Sequence, residues 1–200
     1  MADVPNKPPS KAELDACRRC RLGALATQGV PGEGPRRARI MLVGEQPGDE
    51  EDLAGRPFVG PAGRLLRRAL QDAAVAQDEV FVTNAVKHFS FEPRGKRRIH
   101  KTPAQREVAA CHAWLEAELA SVRPKVIVAL GATALGALLG RRLTIAEARQ
   151  AKLEHASGAR LVATYHPSAA LRAPDEVRRQ ELYDFIVTDL GKARKIAAID

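Results

Sequence analysis

Apolar residues along this chain fall into two alternating patterns. Short continuous runs read as strands: Ile40-Met41-Leu42-Val43, Glu79-Val80-Phe81-Val82-Thr83, Lys125-Val126-Ile127-Val128-Ala129-Leu130 and Arg160-Leu161-Val162-Ala163-Thr164. The third is apolar almost throughout, as a strand buried on both faces of a parallel sheet must be. Between the runs, apolar positions recur at helical spacing. Leu65, Leu66, Ala69 and Leu70 predict an amphipathic helix over 62–74, and Val108, Cys111, Leu115 and Leu119 predict one from 102 to about 121. For the latter, Thr102 is the expected N-cap, Pro103 the first helical residue and Gln105 the partner in a capping box. Short helices are expected over 11–20 and 131–139, and a closing helix over 175–195. Residues 1–10, rich in Pro and polar side chains, are expected to be disordered, and 89–101 to form a long polar loop. Strand and helix alternate without an internal repeat. The expected fold is one α/β domain, a three-layer α/β/α arrangement around a mainly parallel four-stranded sheet.

This placement groups the chemistry. Glu45-Gln46 follows the first strand, Asn84 the second and His166-Pro167-Ser168 the fourth, so parallel strands bring all three to one edge of the sheet. That edge is where open α/β sheets put ligand sites. The loop after the first strand, Gly44-Glu45-Gln46-Pro47-Gly48-Asp49 onward, also carries Phe58, and a flat ring beside amide and acidic groups suits a nucleobase.

Composition narrows the partner. A formal net charge of +8 favours a polyanion, whereas 4% aromatic content argues against a stacking platform for long single strands. No apolar run is long enough to cross a bilayer, and residues 1–11 lack a signal-peptide centre, so a cytoplasmic protein without a membrane partner is expected.

Cys17-x-x-Cys20 with Cys111 suggests metal or redox chemistry in an intracellular chain. A fourth ligand would come from His88 or His112, and zinc and an iron–sulfur cluster both suit such a set, zinc being the commoner. The segment Lys96-Arg97-Arg98-Ile99-His100-Lys101 reads as a phosphate clamp in which His100, alone in being able to be neutral near pH 7, can also act as base or nucleophile. His166, pre-positioned after a strand, can donate to a developing oxyanion, or simply cap a helix with Ser168. His155 has no supporting context.

Together, Gly44-Glu45-Gln46-Pro47-Gly48, Phe58, Val82-Thr83-Asn84 and His166-Pro167-Ser168, in this order, resemble the motifs of the uracil-DNA glycosylase superfamily and its cluster-bearing family-four branch. Gln46 in place of that branch's Ala, His88 in place of its third cysteine, and Lys96-Arg97-Arg98-Ile99-His100 resemble the UdgX-type branch. The resemblance implies a [4Fe–4S] cluster on Cys17, Cys20, His88 and Cys111 in place of zinc. It implies Phe58 stacking on uracil, Asn84 reading its edge, and Gln46, Asp49 and Ser168 shaping the pocket. Lys96, Arg97 and Arg98 would hold the DNA backbone. Glu45 and His166 would assist catalysis, and His100 would bond to the sugar after uracil leaves. The implied partner is uracil-containing DNA, single-stranded by preference, bound by a monomer. The alternatives are a multi-turnover glycosylase in which His100 only grips phosphate, and a non-catalytic nucleic-acid-binding module; a mononucleotide-binding fold is disfavoured because no Gly-x-Gly-x-x-Gly follows the first strand.

Overall fold

A computed structural model describes residues 7–199. The strands are β1 (Ile40–Gly44), β2 (Val80–Asn84), β3 (Phe91–Arg94), β4 (Arg97–His100), β5 (Val126–Leu130), β6 (Leu153–Glu154) and β7 (Arg160–Thr164). The helices are α1 (Lys11–Asp15), α2 (Leu22–Leu25), α3 (Asp49–Ala54), α4 (Pro61–Asp72), α5 (Gln105–Val122), α6 (Ala132–Leu139), α7 (Ile145–Gln150), α8 (Pro167–Leu171) and α9 (Glu176–Ala198).

The main sheet has the order β2-β1-β5-β7-β6. The four expected strands are all parallel, and β6 adds a short antiparallel fifth strand on the β7 edge. Two residues are too few to leave an alternation signal, which is why β6 is not legible in the sequence. Side chains alternate across the sheet. Met41, Val43, Ile127, Ala129, Leu161 and Ala163 pack under α5, α6 and α7, while Ile40, Leu42, Val126, Val128 and Val162 pack under α4 and α9. A third, smaller cluster joins Leu14, Cys17 and Leu22 to Val86 and to Val108, Cys111 and Trp114 of α5.

Three local expectations are corrected. The segment 11–20 is not one helix: α1 ends at Asp15, and Cys17 and Cys20 lie on the connection to α2. The supposed loop 89–101 contains the antiparallel hairpin β3–β4, which turns at Gly95 (φ 58°). Helix α5 begins at Gln105, with Ala104 rather than Thr102 as N-cap, because it is the Glu107 carboxylate that reaches back to the Ala104 N–H (2.7 Å). Of the segment expected to be disordered, residues 1–6 lie outside the described residues; Pro9 is buried and Ser10 caps α1. Among the described residues, no helix is long and apolar enough to cross a membrane.

Candidate active site

The carboxyl ends of β1, β2, β5 and β7 open into a cleft of about 790 Å³. Glu45, Phe58, Asn84, His100, Thr133 and His166 line it. All but Thr133 were singled out in the sequence. Thr133 stands in the first turn of α6, just past β5, the one strand end left without an assigned group, and the Gly131-Ala132-Thr133 entry into α6 is the signal that could have marked it.

The strand register sets the floor. Gly44 pairs with Asn84 across β1–β2, and a Cβ at position 44 would come within 2.4 Å of the Asn84 amide oxygen and 2.8 Å of the Phe58 ring. Glycine is therefore what lets the amide and the aromatic ring approach each other. Asn84 has no side-chain hydrogen-bond partner among the described residues, so its amide remains available in the cleft. The Asn84 backbone carbonyl is held from behind by the ammonium of Lys87 (2.7 Å), a fully buried side chain that also bonds Thr83 and Glu118 at 2.7 Å. Phe58 adopts a left-handed backbone (φ 55°), an arrangement that costs a non-glycine residue and needs outside support. Arg67 supplies it by donating to the Phe58 carbonyl at 2.9 Å. The Phe58 ring lies 6.4 Å from that of His166, 29° from parallel.

His166 is oriented from its far nitrogen. The Ser168 backbone N–H donates to Nδ1 (3.2 Å), with the Ser168 hydroxyl 2.7 Å away. Nδ1 is thus the acceptor, and in the neutral ring the proton sits on Nε2. Burial, opposed by the Glu45 carboxylate, pushes the His166 pKa down to about 4. At neutral pH the cleft therefore holds an uncharged imidazole with an Nε2–H to donate.

Across the cleft, Glu45 Oε1 stands 3.2 Å from His100 Nε2, and Glu45 Oε2 accepts from the Thr133 hydroxyl at 2.5 Å. Burial disfavours the Glu45 anion, but the bonds from His100 and Thr133 outweigh it and hold the carboxyl below its ordinary range.

His100 ends β4, and the hairpin is fastened at two points. The Gln46 amide, buried, donates to the carbonyls of Ser90 and Lys101 (both 3.1 Å) and accepts from Ser90 N–H (3.0 Å), clasping both ends of the hairpin. Arg98 pairs with Asp49 (2.6 Å) and with fully buried Asp52 (2.5 Å), and its guanidinium lies over Phe89 and Phe91. Asp52 also receives the Thr27 backbone N–H. Gln46, Asp49 and Ser168 all border the cleft they were expected to shape, whereas the Arg98 guanidinium is turned toward carboxylates of the protein itself. Gln46 and Arg98 spend their polar groups on the hairpin, and Asp49, although it borders the cleft, is paired with Arg98. Lys96 and Arg97 are exposed. Asp52, Lys87 and Thr133 were missed, the first two because a charged side chain in sequence reads as surface.

Cys17, Cys20 and Cys111 border the third apolar cluster as free thiols. Burial pushes the Cys111 thiol up to about 11, and its sulfur accepts the Lys87 backbone N–H at 3.3 Å. His88 is buried, with Nε2 3.0 Å from the Leu14 carbonyl. Among the described residues, no three His, Cys, Asp or Glu side chains converge tightly enough for a single metal ion. His112 is half-exposed beside Glu116 (3.7 Å), and buried His155 faces the same carboxylate at 3.5 Å.

Comparison with known proteins agrees with this geometry. Residues 31–191 match the profile of the Uracil DNA glycosylase superfamily. The chain is similar to the Type-4 uracil-DNA glycosylase of Thermotoga maritima, 39% identical over 179 residues that cover 89% of this chain and 88% of that protein. It is also similar to the Type-4 enzyme of Pyrobaculum aerophilum, 41% identical over 165 residues (79% and 81% covered), and to the Type-5 enzyme of the same organism, 34% identical over 155 residues (70% and 65%). With a family match across most of its length and an amide, an aromatic ring and a neutral histidine gathered at the carboxyl edge of its sheet, the chain belongs to the uracil-DNA glycosylase superfamily.

Proposed function

We propose that this protein excises uracil from DNA and then holds the resulting sugar covalently on His100. The observation that carries the reading is the Glu45–His100 pair, a carboxylate 3.2 Å from an imidazole nitrogen on the wall of a cleft whose floor suits a planar base. Extruding the nucleotide costs a few kcal/mol and least from a single strand, which makes single-stranded DNA the favoured substrate.

In the cleft, Phe58 stacks on uracil and the free amide of Asn84 hydrogen-bonds its Watson–Crick edge. Heterolysis of the N-glycosidic bond leaves both electrons on uracil and a cationic, oxocarbenium-like sugar. His166 meets the charge growing on the base oxygen with its Nε2–H, a donor of the kind whose loss costs about 3–4 kcal/mol. Glu45, held ionised, stabilises the sugar cation. His100 Nε2 then bonds to the anomeric carbon and its proton passes to Glu45, which balances the charge and leaves uracil as the anion. No water is consumed, so the product is a protein–DNA adduct.

Cys17, Cys20, Cys111 and His88 would hold a [4Fe–4S] cluster. A cubane spreads its ligands over its corners rather than around one ion, soft thiolates are its usual ligands, and the Lys87 N–H on Cys111 is a hydrogen bond of the sort that surrounds cluster sulfurs. If His88 Nε2–H donates to Leu14, Nδ1 keeps its lone pair for metal. When bound, the cluster would supply a structural cross-link between the N-terminal segment, the segment after β2 that carries His88, and α5.

The Type-4 name of the relatives favours a second reading, turnover by water with His100 as a phosphate contact. The count of uracil released per protein molecule in excess substrate separates the two. Capture predicts a burst of about one equivalent and then arrest; continued release supports turnover, and no release overturns both.

A further inference from the structure

Beside the cleft lies a second groove, of about 430 Å³, lined by Asp49, Leu53, Lys96, Arg97, Arg98 and Ile99. Two elements are inverted there. Helix α3 (DEEDLA) turns Asp52 fully inward while Leu53 is 60% exposed, the reverse of a helix shaped by packing. Strand β4 likewise turns Arg98 inward and leaves Ile99 41% exposed. Both inversions face the same groove. Lys96 and Arg97, also exposed, make no ion pair with a described residue, whereas Asp49, the groove's acidic member, is neutralised by Arg98. Asp49 and Ile99 border the groove and the cleft alike, so the two surfaces are continuous.

We propose that this groove seats the nucleotide next to the extruded uridine on the same DNA strand, with its base against Leu53 and Ile99 and its phosphate between Lys96 and Arg97. This rests on the uracil-DNA reading of the cleft and adds a second, sequence-tolerant subsite to it. An apolar floor under a cationic rim matches a nucleotide's flat face and its phosphate, and aliphatic side chains, which read no hydrogen-bonding edge, accept any base against them. The continuity of the groove with the cleft selects an adjoining nucleotide over an unrelated ligand.

The test uses short single-stranded oligonucleotides carrying one 2′-fluoro-deoxyuridine, which resists cleavage. Each flanking nucleotide is replaced in turn by a baseless tetrahydrofuran spacer, and binding is followed by fluorescence anisotropy. In the wild type, removing the base on one flank is expected to weaken binding about tenfold. In the doubly substituted Leu53→Ser, Ile99→Ser protein, both positions being exposed, the same spacer should cost less than twofold, with melting unchanged. Lys96→Ala with Arg97→Ala should reduce the salt slope of binding by about 2. Binding that ignores the spacer on both flanks, or a double variant as sensitive to it as the wild type, overturns the proposal. Failure to bind any of the uridine oligonucleotides would instead overturn the reading of the cleft.

Discussion

Gln46 holds the hairpin of His100 without touching His100. Its amide joins β1's carboxyl end to Ser90 and Lys101, the residues on either side of β3–β4, so the loop that shapes the cleft also sets where the histidine stands. Gln46→Ala leaves the Ser90 N–H and the Lys101 carbonyl without this partner, while the Ser90 carbonyl keeps the Lys101 N–H (2.9 Å), at about 2 kcal/mol. Differential scanning calorimetry should show a fall of roughly 4–8 °C in melting temperature. Adduct formation should slow by about tenfold or more, since small misplacements of a reacting group are costly.

The Arg98–Asp52 pair is the other fastening. Arg98→Gln strips a buried carboxylate of its counter-charge, and breaking such pairs costs about 3–5 kcal/mol. Thr27 N–H still holds Asp52, which places the expected loss at the low end. The hairpin tip offers its own readout, because Lys96 and Arg97 are trypsin sites. Limited proteolysis should nick there several times faster in the variant, before the domain melts.

Acid dependence separates Glu45 from His166. A carboxyl held below its usual pKa is functional above that value and fails as pH falls through it. Removal of His100 takes away the largest of the interactions that lower Glu45 and leaves burial, which raises it. The acid limb of uracil release should therefore move to higher pH in His100→Gly than in the wild type. His166, pushed down to about 4, should add no limb near pH 6.5 to either profile.

The cysteine set predicts a chromophore. Protein isolated without oxygen should absorb in the visible and carry about four irons, as a [4Fe–4S] cluster requires. Cys111→Ser should lose the iron and the band together and melt earlier. Stoichiometric zinc without iron would exclude the cluster.

The strands and the cleft were legible in the sequence because burial on both faces and loops at strand ends leave strong local signals. Met41 through Val43 cannot be other than core, and Glu45, Asn84 and His166 each follow such a run. The hairpin was not legible. Pro93 interrupts β3, and the charges of Arg94, Lys96, Arg97 and Arg98 read as a solvated loop. What turns Arg98 inward is Asp52, 46 residues away, and no local pattern carries that pairing. Lys87 and Asp52 share one reason for escaping notice: each is buried only because distant residues neutralise it. For Gln46 the sequence placed the residue at the right loop, and the long-range bonds assigned its work.

The most direct test of the central claim is a denaturing gel of wild type and His100→Gly after each is mixed with a labelled single-stranded uracil oligonucleotide. The account predicts a heat- and SDS-stable shifted band for the wild type, absent with thymine. With His100→Gly it predicts no band, but free uracil and an alkali-labile strand. A wild type that leaves only alkali-labile DNA, or a His100→Gly protein that still cross-links, would contradict it.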